Sequence, residues 1–138
     1  MTEAEKLVRA YYDAFNAGNF AAMLALLTDD VEHGINQGGR ETGRDAFARF
    51  MAGMDDSYQE RLADLVVMTE PTGARAAAEF VVHGIYKRTA AGLPAATGQN
   101  YVLPAGAFFT VRDGRVARID NFYNLEDWLR QIQGTGPS

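Results

Sequence analysis

The chain has 138 residues, 47% of them hydrophobic, and a formal net charge of −5. That length suits one domain with a real core. The absence of cysteine excludes disulfides, thiolate metal sites and a cysteine nucleophile, and the acidic balance without a basic run argues against nucleic acid or an anionic membrane as partner.

The segment "TEAEKLVRAYYDAFNAGN" reads as a helix. Thr2 is its N-cap, Glu3 and Glu5 favour its first turn, and Leu7, Tyr11, Ala14, Phe15 and Gly18 share one face. A second, shorter helix covers Phe20–Leu27 and stops at Thr28-Asp29-Asp30. Val31–Ile35 is a short strand, Asn36–Gly43 a loop, and Arg44–Gln59 a third helix with Phe47, Phe50, Met51 and Met54 on one side. Strands follow at Arg61–Thr69, Ala74–Thr89, Gln99–Arg112 and Arg115–Tyr123. Gly73 and the Arg112–Gly114 turn make the tight connections, and Ala90–Gly98 a longer one. Asn124 caps a terminal helix ending at Ile132, with Asp127 three residues on.

Helices followed by sequential strands predict an α+β domain over residues 1–133, with 134–138 as a flexible tail. There is no internal repeat. No apolar run approaches the roughly 18 residues that span a bilayer, and no charged-then-apolar leader opens the chain, so a cytoplasmic protein is expected.

The strand "AAEFVVHGIY" (Ala77–Tyr86) is unusual. One face reads Ala78, Phe80, Val82, Gly84, Tyr86 and holds nothing ionisable. The other reads Ala77, Glu79, Val81, His83, Ile85 and carries an acid and an imidazole. That second face either meets solvent or lines a pocket.

The order helix–helix–strand–helix–four strands resembles the nuclear transport factor 2-like superfamily over nearly the whole chain. Within it the likeness is to the ketosteroid-isomerase-related and SnoaL-like polyketide cyclase branch. "FNAGNFAAMLALLTDDV", "GRDAFARFM" and "FFTVRDGRVARIDNFYNLEDW" carry the resemblance. It implies a cone: a curved, mostly antiparallel (mixed) sheet wrapped around the three N-terminal helices, a short C-terminal helix, and an apolar pocket. Counting against ketosteroid isomerases puts Ala77, Glu79, Val81 and His83 on the concave side. It gives the Phe80–Val82–Tyr86 face, with Phe108, to a homodimer contact. The same count aims Tyr101, Leu103, Ala105, Ala107, Phe109, Ile119, Asn121 and Tyr123 inward.

The resemblance implies only part of the isomerase machinery, which joins an aspartate base to a tyrosine and a protonated aspartic acid. Tyr11 takes the oxyanion tyrosine's place. The base position falls at His33, Gly34 or Ile35, with Glu32 as the nearest carboxylate, and the second acid maps to about Ala107. Glu79, His83 and Tyr11 are therefore the expected catalytic groups. His33, Tyr101, Ala107, Phe109, Ile119, Asn121 and Tyr123 are the expected substrate contacts. Glu79 and His83 stand about 13 Å apart along the strand, too far for a bonded dyad. The expected function is cofactor-free, metal-free acid–base chemistry on a small, largely apolar carbonyl or polycyclic compound, of isomerase, cyclase or dehydratase type. The alternatives are a carrier of an apolar small molecule and a dimeric scaffold with a filled pocket.

Overall fold

The computed structural model describes residues 1–133; the expected tail, 134–138, lies outside the described residues. Helices α1 (Glu3–Asn16) and α2 (Phe20–Ala25) lead into β1 (Leu27–Ile35) and β2 (Arg40–Thr42). Then come α3 (Arg44–Ser57), β3 (Tyr58–Thr69), β4 (Arg75–Tyr86), β5 (Gln99–Arg112), β6 (Arg115–Tyr123) and α4 (Leu125–Ile132). The six strands form one curved, open sheet in the order β2-β1-β6-β5-β4-β3. Only the β1–β6 pairing is parallel, so the sheet is mixed. The helices lie on its concave face, and the α+β cone is the architecture that the sequence implies.

Local chemistry sets the helix starts. Thr2 accepts the Glu5 N–H at 3.1 Å, Asn19 accepts Ala22 N–H at 3.1 Å, and Asn124 accepts Asp127 N–H at 3.0 Å. Each side chain satisfies a donor that the first helical turn leaves unpaired. Several boundaries differ from expectation; α2 ends at Ala25 rather than Leu27, and β4 at Tyr86 rather than Thr89. β1 starts at Leu27, so Thr28-Asp29-Asp30 is extended rather than a bare helix stop. Arg40–Thr42 of the expected loop forms a short edge strand on β1. The third helix ends at Ser57, because Tyr58 is extended and stacks on its cross-strand partner Tyr86 at 5.4 Å.

The main correction concerns β4. Its buried residues are Ala76, Ala78, Phe80, Val82, Gly84 and Tyr86, while Glu79 is exposed. Phe80 packs on Tyr12 of α1, with ring centroids 5.0 Å apart. Glu79 and His83 therefore sit on the convex face, and Phe80, Val82 and Tyr86 belong to the core instead of a dimer contact. The count against the isomerases was out of step by one residue here, and a one-residue slip reverses both faces of a strand. Hydrophobicity explains the outcome. Turning Glu79 inward would bury a carboxylate without a partner and expose Phe80 and Tyr86.

β5 and β6 face as expected. Tyr101, Leu103, Ala107, Phe109 and Ile119 are buried on the concave side. Phe108 points outward and is 53% exposed, as expected.

Candidate functional site

Between α1, α3, α4 and the concave sheet lies a cavity of about 180 Å³. Its wall is mainly apolar, with Phe15, Phe50, Met54, Leu103 and Trp128 prominent. Two polar groups of residues interrupt that wall.

The first group centres on Glu60, which sequence reasoning missed. β3 pairs Glu60 with Gly84, and β4 pairs Gly84 with Tyr101, so the three residues form one row across three strands. Gly84 has no side chain, and the Tyr101 ring lies over it. The Tyr101 hydroxyl crosses that gap and donates to Glu60 Oε2. Burial pushes the Glu60 carboxyl above the usual carboxylate range, and the Tyr101 hydrogen bond partly opposes the rise. Three phenols surround this acid. Burial, with Glu60's charge as a further cause, raises Tyr101 well above the ordinary phenol value and raises Tyr123 as well. Tyr58 is pushed up to about 12 by burial first, then by the charges of Tyr86 and Glu60. All three remain hydroxyl donors at neutral pH.

The second group centres on His33, which is 3% exposed and held between Phe47 and Phe50 at centroid distances of 4.9 and 4.8 Å. Asn121 Nδ2 lies 3.1 Å from His33 Nε2 and 3.4 Å from the Gly34 carbonyl oxygen. A carbonyl only accepts, so the amide nitrogen faces that side and donates to Nε2 as well. Burial holds His33 down to about 4; Asp120 pulls the other way, and Arg40 adds to the lowering. At neutral pH the ring is uncharged, with its proton on Nδ1. That nitrogen is buried and has no hydrogen-bond partner among the described residues, and neither has the hydroxyl of Tyr12. Both residues line the cavity.

The two groups lie well apart. Asn121 pairs with Ala107, six residues along β5 from Tyr101, which is about 20 Å of strand at 3.3 Å per residue. Tyr123, paired with Ala105, lies between them.

The structure places Tyr11, His33, Asn121 and Tyr123 around the cavity, and brings Tyr101 to its edge through Glu60. Ala107, Phe109 and Ile119 are buried on the concave face but pack into the core without lining the cavity; Phe109 meets Tyr11 at 5.8 Å. Glu79 is excluded from the cavity. His83 borders a separate outer cleft beside its cross-strand neighbour Arg61. Burial pushes the Tyr11 hydroxyl far above its usual value, so it stays protonated and able to donate at neutral pH. Besides Glu60, the sequence reading missed Tyr58 and Trp128 as wall residues. A signal for Glu60 exists in the alternation of Tyr58, Glu60 and Leu62 against Gln59 and Arg61. It was hidden because Glu60 fell between an expected helix end and an expected strand start.

Beside the site, on the convex side, Asp120 is 7% exposed and binds both Arg40 and Arg118. Gly34 leaves room for it, since a Cβ there would lie 2.2 Å from Asp120 Oδ1. This cluster ties the β2 edge to β6. Among the described residues no group of three or more His, Asp or Glu side chains could hold a metal ion, and no helix is long and apolar enough to cross a membrane.

A cone of this topology, with an apolar cavity on its concave side, defines a nuclear transport factor 2-like protein. The SnoaL-like domain family matches residues 8–119, and the chain belongs to that family. A proposed polyketide cyclase from Xanthomonas campestris pv. campestris is 56% identical, with a TM-score of 0.92 over 94% of this chain and 96% of that one. A second proposed polyketide cyclase, from Pseudomonas putida, is 58% identical, with the same TM-score of 0.92 over 96% of this chain and 98% of that one. An epoxide hydrolase of M. tuberculosis, described as LEH-like, shares the fold at 20% identity and TM-score 0.70, over 94% of this chain and 89% of that one. No curated protein sequence matches the chain.

Proposed function

We propose that this protein is an acid–base enzyme, working without a cofactor, that enolises a small, largely apolar carbonyl compound. Such proton transfer underlies isomerisation, ring closure and dehydration alike. The observation that carries the reading is Glu60: a carboxyl on the wall of an apolar cavity, raised by burial and surrounded by three phenols. Raising the pKa makes the carboxylate a stronger base at neutral pH. In the proposed step Glu60 takes a proton from the carbon next to the carbonyl. The C–H electron pair forms the carbon–carbon double bond, and the carbonyl π pair moves onto oxygen. A hydroxyl of Tyr58 or Tyr123 donates to that oxyanion, where a positioned donor in a water-poor site is most effective. Glu60 then returns the proton to carbon. The family membership and the proposed cyclases among its neighbours support this class of chemistry.

The experiment is deuterium exchange at the acidic carbon of 2-tetralone in D2O, followed by NMR. The protein should accelerate exchange, and Glu60→Gln should reduce that acceleration by about 10²–10⁴. Undiminished exchange in Glu60→Gln would remove Glu60 from the role.

We also propose that the convex sheet face pairs with a second copy. Val66, Met68, Val102, Phe108 and Phe122 are 47–53% exposed there. So many large apolar side chains left exposed on one sheet face, with Glu79 among them, fit a face covered by a partner.

A further inference from the structure

We infer that the cavity's natural ligand is an uncharged compound of one or two rings carrying a hydrogen-bond-accepting oxygen, and that four-ring and anionic compounds are excluded. The inference rests on the reading that this cavity is the functional site, and it narrows the substrate class. Size comes first. An apolar cavity of about 150 Å³ holds a single benzene ring, and this one is only slightly larger, at about 180 Å³. Its walls are also tied down. Trp128 stands edge-on to Tyr58, Tyr101 and Tyr123 at 5.8, 6.0 and 6.3 Å and closes the end under α4. A four-ring body would have to displace that cluster.

Charge comes next. Among the described residues no lysine or arginine lines the cavity; the ionisable residues there are tyrosines, Glu60, and a His33 that is neutral at pH 7. An anion would lose its hydration without gaining a counter-charge, and Glu60 would repel it when ionised. Hydrogen bonding supplies the last term. Tyr58 and Tyr123 line the cavity beside Glu60, and their hydroxyls stay protonated at pH 7. They offer donors to a ligand, so the group that meets them is an acceptor. A ketone, ester or hydroxyl oxygen meets that need without bringing a charge.

A neighbouring feature gives the size limit a direct test. The outer cleft shares Phe15, Met51, Met54, Tyr58 and Glu60 with the cavity, so these side chains form the partition between the two spaces. Met54 is half-buried, and its truncation joins them at little risk to the fold.

Trp128 is the chain's only tryptophan and lines the cavity, so its fluorescence reports occupancy. The whole protein would be titrated at pH 7 with 2-tetralone, with tetralin-2-carboxylate as its anionic counterpart, and with a 5-ene-3-ketosteroid as the four-ring probe. 2-Tetralone should quench Trp128 saturably. The carboxylate should bind at least about tenfold more weakly, the steroid should not bind, and Met54→Ala should gain steroid binding. Silence with 2-tetralone, equal affinity for the carboxylate, steroid binding by the unaltered chain, or steroid exclusion from Met54→Ala would each overturn the inference. Its failure is separable from failure of the enolisation reading. If 2-tetralone binds with this selectivity but never exchanges its proton, the chemistry falls and the ligand class stands. If it exchanges through Glu60 while size and charge do not matter, the ligand class falls and the chemistry stands.

Discussion

The Tyr101 ring occupies the space that a side chain on Gly84 would need: a Cβ on Gly84 would lie 2.1 Å from the ring and 2.5 Å from its hydroxyl. The glycine is thus part of how Glu60 is positioned, although it contributes no functional group. Gly84→Ala should force the ring aside and break the Tyr101–Glu60 hydrogen bond, at about 1–3 kcal/mol of stability. Because that bond lowers the Glu60 pKa, its loss should move the low-pH limb of the exchange rate towards higher pH. Tyr101→Phe should produce the same displacement without the clash. A merely structural role for Gly84 would lower the rate equally at every pH, so the pH profile of the two variants decides the matter.

Glu60 should also make the protein less stable in base. Its folded pKa lies above the unfolded value, with burial the leading cause. The folded state therefore holds the extra proton. The stability tied to that proton is complete below the unfolded carboxylate value and is lost as pH rises through the raised folded one. Glu60→Gln keeps the shape and cannot ionise. Thermal unfolding should show the variant gaining on the parent at pH 8 and matching it at pH 4. An equal change at both values would mean that Glu60 is well solvated in the folded state.

His33 carries the opposite dependence. Its folded value of about 4 lies below the ordinary 6.5. Between those values the unfolded chain binds more protons, so stability rises with pH through this window and is lost as pH falls from 6.5 towards 4. The full effect corresponds to about 3 kcal/mol. The charges facing the ring are Asp120 of β6, which favours its protonation, and Arg40 of β2, which opposes it. His33→Gln retains an acceptor for Asn121 and removes the titration. Its unfolding free energy should be flatter than the parent's between pH 6.5 and 4. A parallel loss in both proteins would assign the acid sensitivity to other groups.

What the sequence revealed depended on how each residue announces itself. Helix starts were legible because capping is local: Thr2 and Asn124 are read from their neighbours alone. The inward faces of β5 and β6 were legible too, since Phe109, Ile119 and Tyr101 recur at strand spacing. Face assignment on β4 failed where a count from a related fold overrode the strand's own pattern. The wholly apolar row of Phe80, Val82 and Tyr86 was the core, as burial energetics alone would have it. Glu60 was hidden for a different reason. A carboxylate at the junction of α3 and β3 looks like surface until Gly84 and Tyr101, distant in sequence, are seen in one row with it.

The reversed face of β4 also changes which residues should join two copies. Phe80, Val82 and Tyr86 are committed to the core. The convex face instead presents Val66 and Met68 of β3, Ile85 of β4, Val102 and Phe108 of β5, and Phe122 of β6. Phe108 and Phe122 already form an edge-on pair with centroids 5.6 Å apart, leaving much of both rings to solvent. Stable interfaces concentrate their energy in a few such aromatic anchors near the centre of the patch. Phe108→Glu would place a carboxylate there on each copy, where desolvation and like-charge repulsion act together. Sedimentation at micromolar concentration should find the parent as a dimer and Phe108→Glu as a folded species of 15.1 kDa. Phe80→Leu, a core change remote from the contact, should lose stability and remain dimeric. A parent that sediments as a monomer, or a Phe108→Glu variant that stays dimeric, would show that this face is not where two copies meet.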